Sequence, residues 1–241
     1  MFEVEALGLK ALAESGVLRI PRVLGTGTTD RHSYLILEWL ELGAGRGSGG
    51  SDASSAWQQL GQNLARLHRQ SIGPAFGWQQ QNTIGSTPQP NPWTESWLVF
   101  WQQQRLGFQL QLGQRRGGHF PRQEELMAAL PRLLGGHHPQ PSLVHGDLWS
   151  GNVGFTPAGE PVIFDPAVYY GDREVDLAMT ELFGGFPAGF YQGYRREFPL
   201  EPGYERRKVL YNLYHILNHF NLFGGSYLSQ ANRMIEQVLV A

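Results

Sequence analysis

Leu143–Asn152 reads LVHGDLWSGN, and Val162–Pro166, shortly after it, reads VIFDP. The first stretch spaces His145, Asp147 and Asn152 as H-x-D-x-x-x-x-N; the second ends a short apolar strand on Asp165. Phosphoryl transfer needs those residue types in that order. One carboxylate takes the proton of an attacking hydroxyl, the role expected of Asp147. An amide oxygen and a second carboxylate, on Asn152 and Asp165, are hard ligands of the kind magnesium takes. Agreement in type and spacing at four positions carries the reading. A lone HGD fits equally well an aspartate capping a turn after a strand.

Working outward, His145 is expected to hold the loop through backbone contacts rather than to react. Trp149, inside the loop, offers an indole platform for a sugar face or an aromatic ring, or else a core side chain. In the following GDREVDLA, Asp176 opens a helix and suits an N-cap or a brace for the loop backbone. Asp172 is left open as a possible substrate contact. Upstream, Glu38, Trp39 and Leu40 end a strand where a kinase hinge presents backbone groups to adenine; the bland alternative is an edge strand. Glu5 lies on the first helix, where a kinase glutamate pairs with a phosphate-binding lysine. Glu3 faces elsewhere on that helix, so only one of the two can point into a cleft. The loop Asn82–Pro92 is a candidate wall on the substrate side. His137 and His138 precede a proline and read as solvated loop.

Periodicity and turn residues divide the rest. Phe2–Ser15 reads as a helix stopped by Gly16. Arg22–Gly25 and Ser33–Leu40 read as strands about the turn Thr28–His32. Gly43–Ser51, GAGRGSGGS, is the clearest linker. It divides a partial N-lobe over 1–42 from a C-lobe over 52–241. A helix follows from Asp52 or Ser54 to about Gln70, then a long loop over Phe76–Pro92. Helices are expected over Trp93–Gln114, Glu124–Leu134, Asp176–Leu182, Phe190–Tyr194, Tyr204–Phe223 and Ser229–Val240. Val153–Phe155 and Val162–Phe164 suit a hairpin.

The composition is that of a globular chain: of 241 residues, 41% are hydrophobic and 17% charged. A net charge of −2 implies no large basic field, so nucleic acid is not an expected partner. With no cysteine, disulfides and thiolate zinc sites are excluded. The acidic start, with Glu3, Glu5 and Glu14, is unlike a signal peptide, and no apolar run reaches bilayer length. A cytoplasmic protein with no membrane partner is expected; the oligomeric state is left open.

At these residues the chain resembles the fructosamine kinase, or ketosamine-3-kinase, family over essentially its whole length. The resemblance runs through MFEVEALGLKAL, NTIGSTPQPNPW, LVHGDLWSGN, FDPAVYYGDREVDLA, LFGGFP and YNLYHILNHFNLFGG. The tryptophan in HGDLWSGN favours this family over generic aminoglycoside phosphotransferases. It implies an α+β, bilobal, protein-kinase-like fold with a mainly helical C-lobe. It also implies ATP with Mg2+ and phosphorylation of the 3-hydroxyl of a ketosamine, free or protein-bound, in deglycation repair. Carried over by position, Asp147 is the base and Asn152 and Asp165 bind metal. Glu38, Trp39 and Leu40 form the hinge, and Glu5 is the glutamate of the αC-like helix.

The resemblance departs at the start. The family's phosphate loop and lysine-bearing strand lie upstream of the helix that opens this chain, so a truncated N-lobe is expected, lacking three of five strands. Lys10 shares a helix with Glu5 and cannot replace that lysine. A late-called start and a true truncation both account for this. Apolar faces of the first helix and hairpin are then expected to be uncovered. Two other functions stay open: another small-molecule kinase of the aminoglycoside or choline type, and an inactive, pseudokinase-like binding module.

Overall fold

The computed structural model describes residues 1–43 and 51–240. The linker expected over 43–51 therefore lies, from 44 to 50, outside the described residues. Helix α1, Phe2–Glu14, buries Ala6, Leu9 and Leu12 on one stripe. It ends where the Ser15 hydroxyl donates to the Leu12 carbonyl and Gly16 turns to φ +67°. Strands β1, Val23–Thr28, and β2, Ser33–Leu37, pair antiparallel, and the turn is closed by a Thr29 N–H to the His32 carbonyl at 2.7 Å. The outer face of this hairpin is uncovered, with Leu24 56% and Ile36 49% exposed. The apolar face of α1 is not uncovered: a Cβ on Gly8 would stand 3.1 Å from Val168, so helix and loop are in close contact.

Helix α2, Ser51–Gln70, sends Ala56, Leu60, Leu64 and Leu67 inward, as their spacing predicts. It lies against α7, Ala188–Glu197, at backbone distance. A Cβ on Gly61 would sit 2.0 Å from the Phe190 carbonyl oxygen, and one on Gly193 2.1 Å from that of Gln58.

The segment after Phe76 is not the continuous loop its prolines suggest. It folds into β3, Asn82–Ile84, and β4, Thr87–Gln89, about the tight turn Gly85-Ser86. A buried amide network, rather than strand propensity, holds it. Asn82 donates to the Val168 carbonyl at 2.8 Å, and Gln89 donates to the Ala167 carbonyl at 3.0 Å. Asn91 and Gln89 both donate to the Asn82 side-chain oxygen. Arg105, fully buried, donates to the Pro90 carbonyl at 2.7 Å and to Asn91 Oδ1 at 2.8 Å, and its guanidinium lies 4.0 Å from the Tyr169 ring centre.

The next helix begins at Trp97, later than expected. Thr94 exchanges backbone bonds with Phe76, and Ser96 caps the helix by accepting from the Val99 N–H. It runs as α3, Trp97–Phe100, a π-helical stretch Trp101–Gly107, and α4, Phe108–Arg115. The wider stretch carries Arg105 into the interior. Helix α5, Gln123–Leu134, leads to β5, Ser142–Val144, which pairs with β8, Tyr169–Gly171. Between them β6, Val153–Phe155, and β7, Pro161–Ile163, form the expected hairpin. Helices α6, Glu174–Leu182, α8, Tyr204–Phe223, and α9, Tyr227–Val240, complete the α+β fold, with α8 at its centre. Among the described residues no helix is long and apolar enough to cross a membrane.

Two expectations are corrected here. Asp172 is 1% exposed and accepts from the Tyr211 hydroxyl, from the Glu174 N–H and from His137. Its oxygens are taken inside the protein, so it anchors α6 and α8 and does not face a substrate. His137 is buried rather than solvated, held between Asp172 at 2.7 Å and Glu201 at 3.0 Å. Glu174, beside it, is gripped by Arg207 at 2.7 and 2.8 Å.

Candidate active site

The loop leaving β5 turns at Gly146, which has φ +82° and where a Cβ would stand 2.1 Å from the Ala167 carbonyl oxygen. Only glycine fits there. Asp176, fully buried at the start of α6, fixes this turn from below. One of its oxygens accepts from the His145 N–H at 2.7 Å and the other from the Gly146 N–H at 2.9 Å. His68 of α2 adds a contact at 3.0 Å and is itself held by the Tyr194 hydroxyl. Burial works to raise the Asp176 pKa, but the bonds and charge of His68 and the Gly146 N–H hold it below the ordinary value. The brace reading of Asp176 is therefore the one its contacts match.

His145 sits inside, with Nε2 3.1 Å from the Phe164 carbonyl and Nδ1 accepting from the Asp147 N–H at 3.3 Å. Burial lowers its pKa, so the ring is neutral and ties the loop after β5 to Phe164, between the end of β7 and Asp165. Asn152 makes the second tie. Its amide nitrogen donates to the Asp147 carbonyl at 2.9 Å and the Asp165 carbonyl at 3.3 Å. That orientation leaves the amide oxygen as the atom available to a cation. Asp165 has φ 57°, the one non-glycine residue in the left-handed region among those described. A backbone so held marks a site where side-chain direction matters more than local ease.

Asp147 and Asp165 line one cavity of about 380 Å³. Its other walls are Met1, Phe2 and Glu5 of the first helix, the β3–β4 hairpin with Asn82, Thr83 and Ser86, and Pro166. Burial, then the charges of Asp165 and Asp176, push the Asp147 carboxyl up to about 7, against the opposing Asn152 amide. Glu5 is raised too, by burial and by Asp165. Among the described residues it makes no ion pair with a lysine or arginine. A cavity that gathers the carboxylates of Glu5, Asp147 and Asp165 has the hard-donor character of a divalent cation site, while Asn152, 4% exposed, lies behind its lining.

The remaining candidates lie apart from this cavity. Trp149 is 38% exposed, lies over Gly151 and meets the Phe183 ring edge-on at 6.2 Å. It is not part of the cavity lining. The Glu38 side chain is engaged with Arg19 at 2.5 Å and with the Arg22 N–H at 3.1 Å, which lowers its pKa. Trp39 is 91% exposed. Sequence reasoning passed over His215 of α8. It is buried, and its Nδ1 lies 3.9 Å from Asp147 Oδ1. Its only sequence signal was a polar residue on a helix whose neighbours are apolar.

The family model for fructosamine kinases matches residues 1–241. The chain belongs to this family. A probable ketoamine kinase of Synechocystis sp. is 58% identical over 99% of this chain and 79% of its own length. A crystal structure of a Haemophilus somnus protein assigned as a fructosamine-3-kinase superposes with a TM-score of 0.90 at 34% identity, covering 99% of this chain and 79% of that one. An aminoglycoside phosphotransferase structure, at 18% identity and a TM-score of 0.57, covers 98% of this chain and 83% of that one, and shares the kinase-like fold alone. The fructosamine kinase resemblance read from HGDLWSGN and its flanks is thereby established, as is the kinase-like α+β fold.

Proposed function

We propose that this protein phosphorylates the 3-hydroxyl of a ketosamine with ATP and Mg2+, a step that labilises the sugar adduct and serves deglycation. The observation that carries it is the Asp147 carboxyl, in one cavity with Asp165 and pushed up to about 7. A base of that strength is poised to take a hydroxyl proton near neutral pH. Asn152 Oδ1 and the Asp165 carboxylate would hold magnesium, which would supply charge neutralisation at the phosphate oxygens. Asp147 orients the sugar hydroxyl and accepts its proton. Trp39 and Leu40, beyond the end of β2 at Leu37 and with backbone groups that make no hydrogen bond among the described residues, receive the adenine, with Glu38 tied to Arg19 and Arg22. Trp149 offers a face to the ketosamine's amine-bearing half at the outer end of the loop. Glu5 faces the phosphates from α1. A cytoplasmic setting, where ATP is at hand, is the one this reading supposes.

The test is turnover of fructosyl-lysine and ribosyl-lysine adducts with magnesium–ATP, read by phosphorus NMR, beside choline and an aminoglycoside. Phosphate on the ketosamine alone supports the proposal. Turnover of choline or the aminoglycoside with none of the ketosamines overturns it.

A further inference from the structure

The Asp147 carboxylate has one neighbour that the reaction, as set out above, does not use. His215 projects from the middle of α8 and is 3% exposed. Its Nδ1 is buried and has no hydrogen-bond partner among the described residues. The same atom lies 3.9 Å from Asp147 Oδ1. That separation is too long for a hydrogen bond, and a small rotation of either side chain closes it. Buried, partnerless polar atoms are uncommon in folded proteins and call for a reason.

The protonation state limits what this ring can do. Burial, then the charges of His219 and Arg105, push its pKa down to about 3 in spite of Asp176. His215 is thus neutral at physiological pH and carries one ring proton. With a bare lone pair at Nδ1, it would face an anionic oxygen with negative density. With the proton at Nδ1, it faces that oxygen with a dipole of the right sign. The negative charge of Asp147 Oδ1, 3.9 Å from Nδ1, leaves the second arrangement favoured.

We propose that His215 is a positioning residue: its Nδ1–H directs Oδ1 of Asp147, leaving the other carboxylate oxygen to the substrate hydroxyl. The proposal rests on the reading of Asp147 as the base. The gap of 3.9 Å is the resting arrangement, and it closes when the acceptor draws the carboxylate into line. An orphan donor of this kind disfavours folding, so it is kept for the site and not for the fold. His215→Leu removes the donor in an apolar shell of similar size. It is expected to lower kcat by roughly 10–100-fold, as loss of an orienting partner does. The KM for ATP should stay within about twofold, because the phosphates are held elsewhere. The thermal midpoint should hold or rise, since the unpaired N–H has gone. His215→Asn, which restores a donor at similar reach, should recover most of the lost kcat.

A residue that merely fills space gives the opposite pattern, with a lowered midpoint and no rescue by asparagine. A readout independent of turnover is the nitrogen NMR signature of the His215 ring, assigned by its loss in His215→Asn. A neutral ring protonated at Nδ1 is expected; a proton on Nε2, or a charged ring at neutral pH, overturns the proposal. So does His215→Leu keeping kcat within about twofold while the parent protein turns over. If the parent turns over no ketosamine, the functional reading fails by itself, and the ring protonation still decides this one.

Discussion

Replacing Asp147 with asparagine should make the protein more stable, by an amount that grows from near zero at about pH 4 to a plateau above about pH 7. The Asp147 side chain is 22% exposed, and its carboxyl is pushed from 3.8 up to about 7, first by burial and then by Asp165 and Asp176. Below the unfolded value both states hold the proton, and Asp147 contributes nothing. Between that value and about 7 the folded protein is protonated and the unfolded chain is not, so stability falls as pH rises. The slope is about 1.4 kcal/mol per pH step. Above 7 both states are ionised, and the accumulated penalty levels off at roughly 4 kcal/mol. Asparagine copies the protonated carboxyl in shape and carries no charge. Asp147→Asn should therefore gain about 4 kcal/mol at pH 8.5, a quantity comparable with much of a domain's total stability. The gain should shrink toward zero near pH 4, and turnover should vanish at every pH. Urea unfolding of both proteins in magnesium-free buffer at several pH values measures this. A difference independent of pH, or a variant no more stable than its parent at pH 8.5, would refute the electrostatic account of the cavity.

Other substitutions probe the supports. Asp176→Asn should lose about 3–5 kcal/mol at pH 7, because a buried acceptor of three bonds is replaced by a group that also donates. Its folded-state pKa is depressed, so the deficit should diminish as pH falls below the ordinary carboxylate range, as acid unfolding curves will show. Gly61→Ala should lose about 1–3 kcal/mol in urea unfolding, since its Cβ meets the Phe190 carbonyl oxygen at 2.0 Å where α2 and α7 touch. Arg105→Lys keeps the charge but not the fork that reaches the Pro90 carbonyl and Asn91. Hydrogen exchange should then quicken through the β3–β4 hairpin while α8 stays protected; uniform exchange would count against the network.

The family was legible in the HGDLWSGN loop because phosphoryl-transfer chemistry fixes residue types at fixed spacings along one short stretch. The loop's flanking helices were legible because their apolar stripes are long; Tyr204–Phe223 is found over the residues the periodicity marks. The β3–β4 hairpin was not. Its strands are three residues each, interrupted by Pro88, and they exist because amide side chains bond to carbonyls at Ala167 and Val168, far along the chain. Asp172 and His137 were misjudged for the same reason. Short polar segments take their burial from partners such as Tyr211 and Glu201, which spacing does not reveal. His215 sits on a correctly placed helix. Which of its faces meets Asp147 is set by how α8 packs, which no local pattern encodes.

Two aspartates near the same turn show how the fold assigns unlike roles to one residue type. Asp176 and Asp147 are both largely withdrawn from water, and burial alone would raise both. Asp176 is met by the His145 and Gly146 N–H groups and by His68, so it stays ionised and its bonds go to shape. Asp147 is met by the charge of Asp165 and opposed only by an amide, so its affinity for a proton grows. The brace satisfies its carboxylate and thereby fixes the loop; the fixed loop then holds the second carboxylate where nothing satisfies it. Asp165 adds to this by keeping a left-handed backbone just before Pro166, with its own carbonyl held by the Asn152 amide. Stability supplied at Asp176 thus offsets instability concentrated at Asp147, and a carboxyl that keeps its proton up to about pH 7 is the chemical form that the concentrated instability takes.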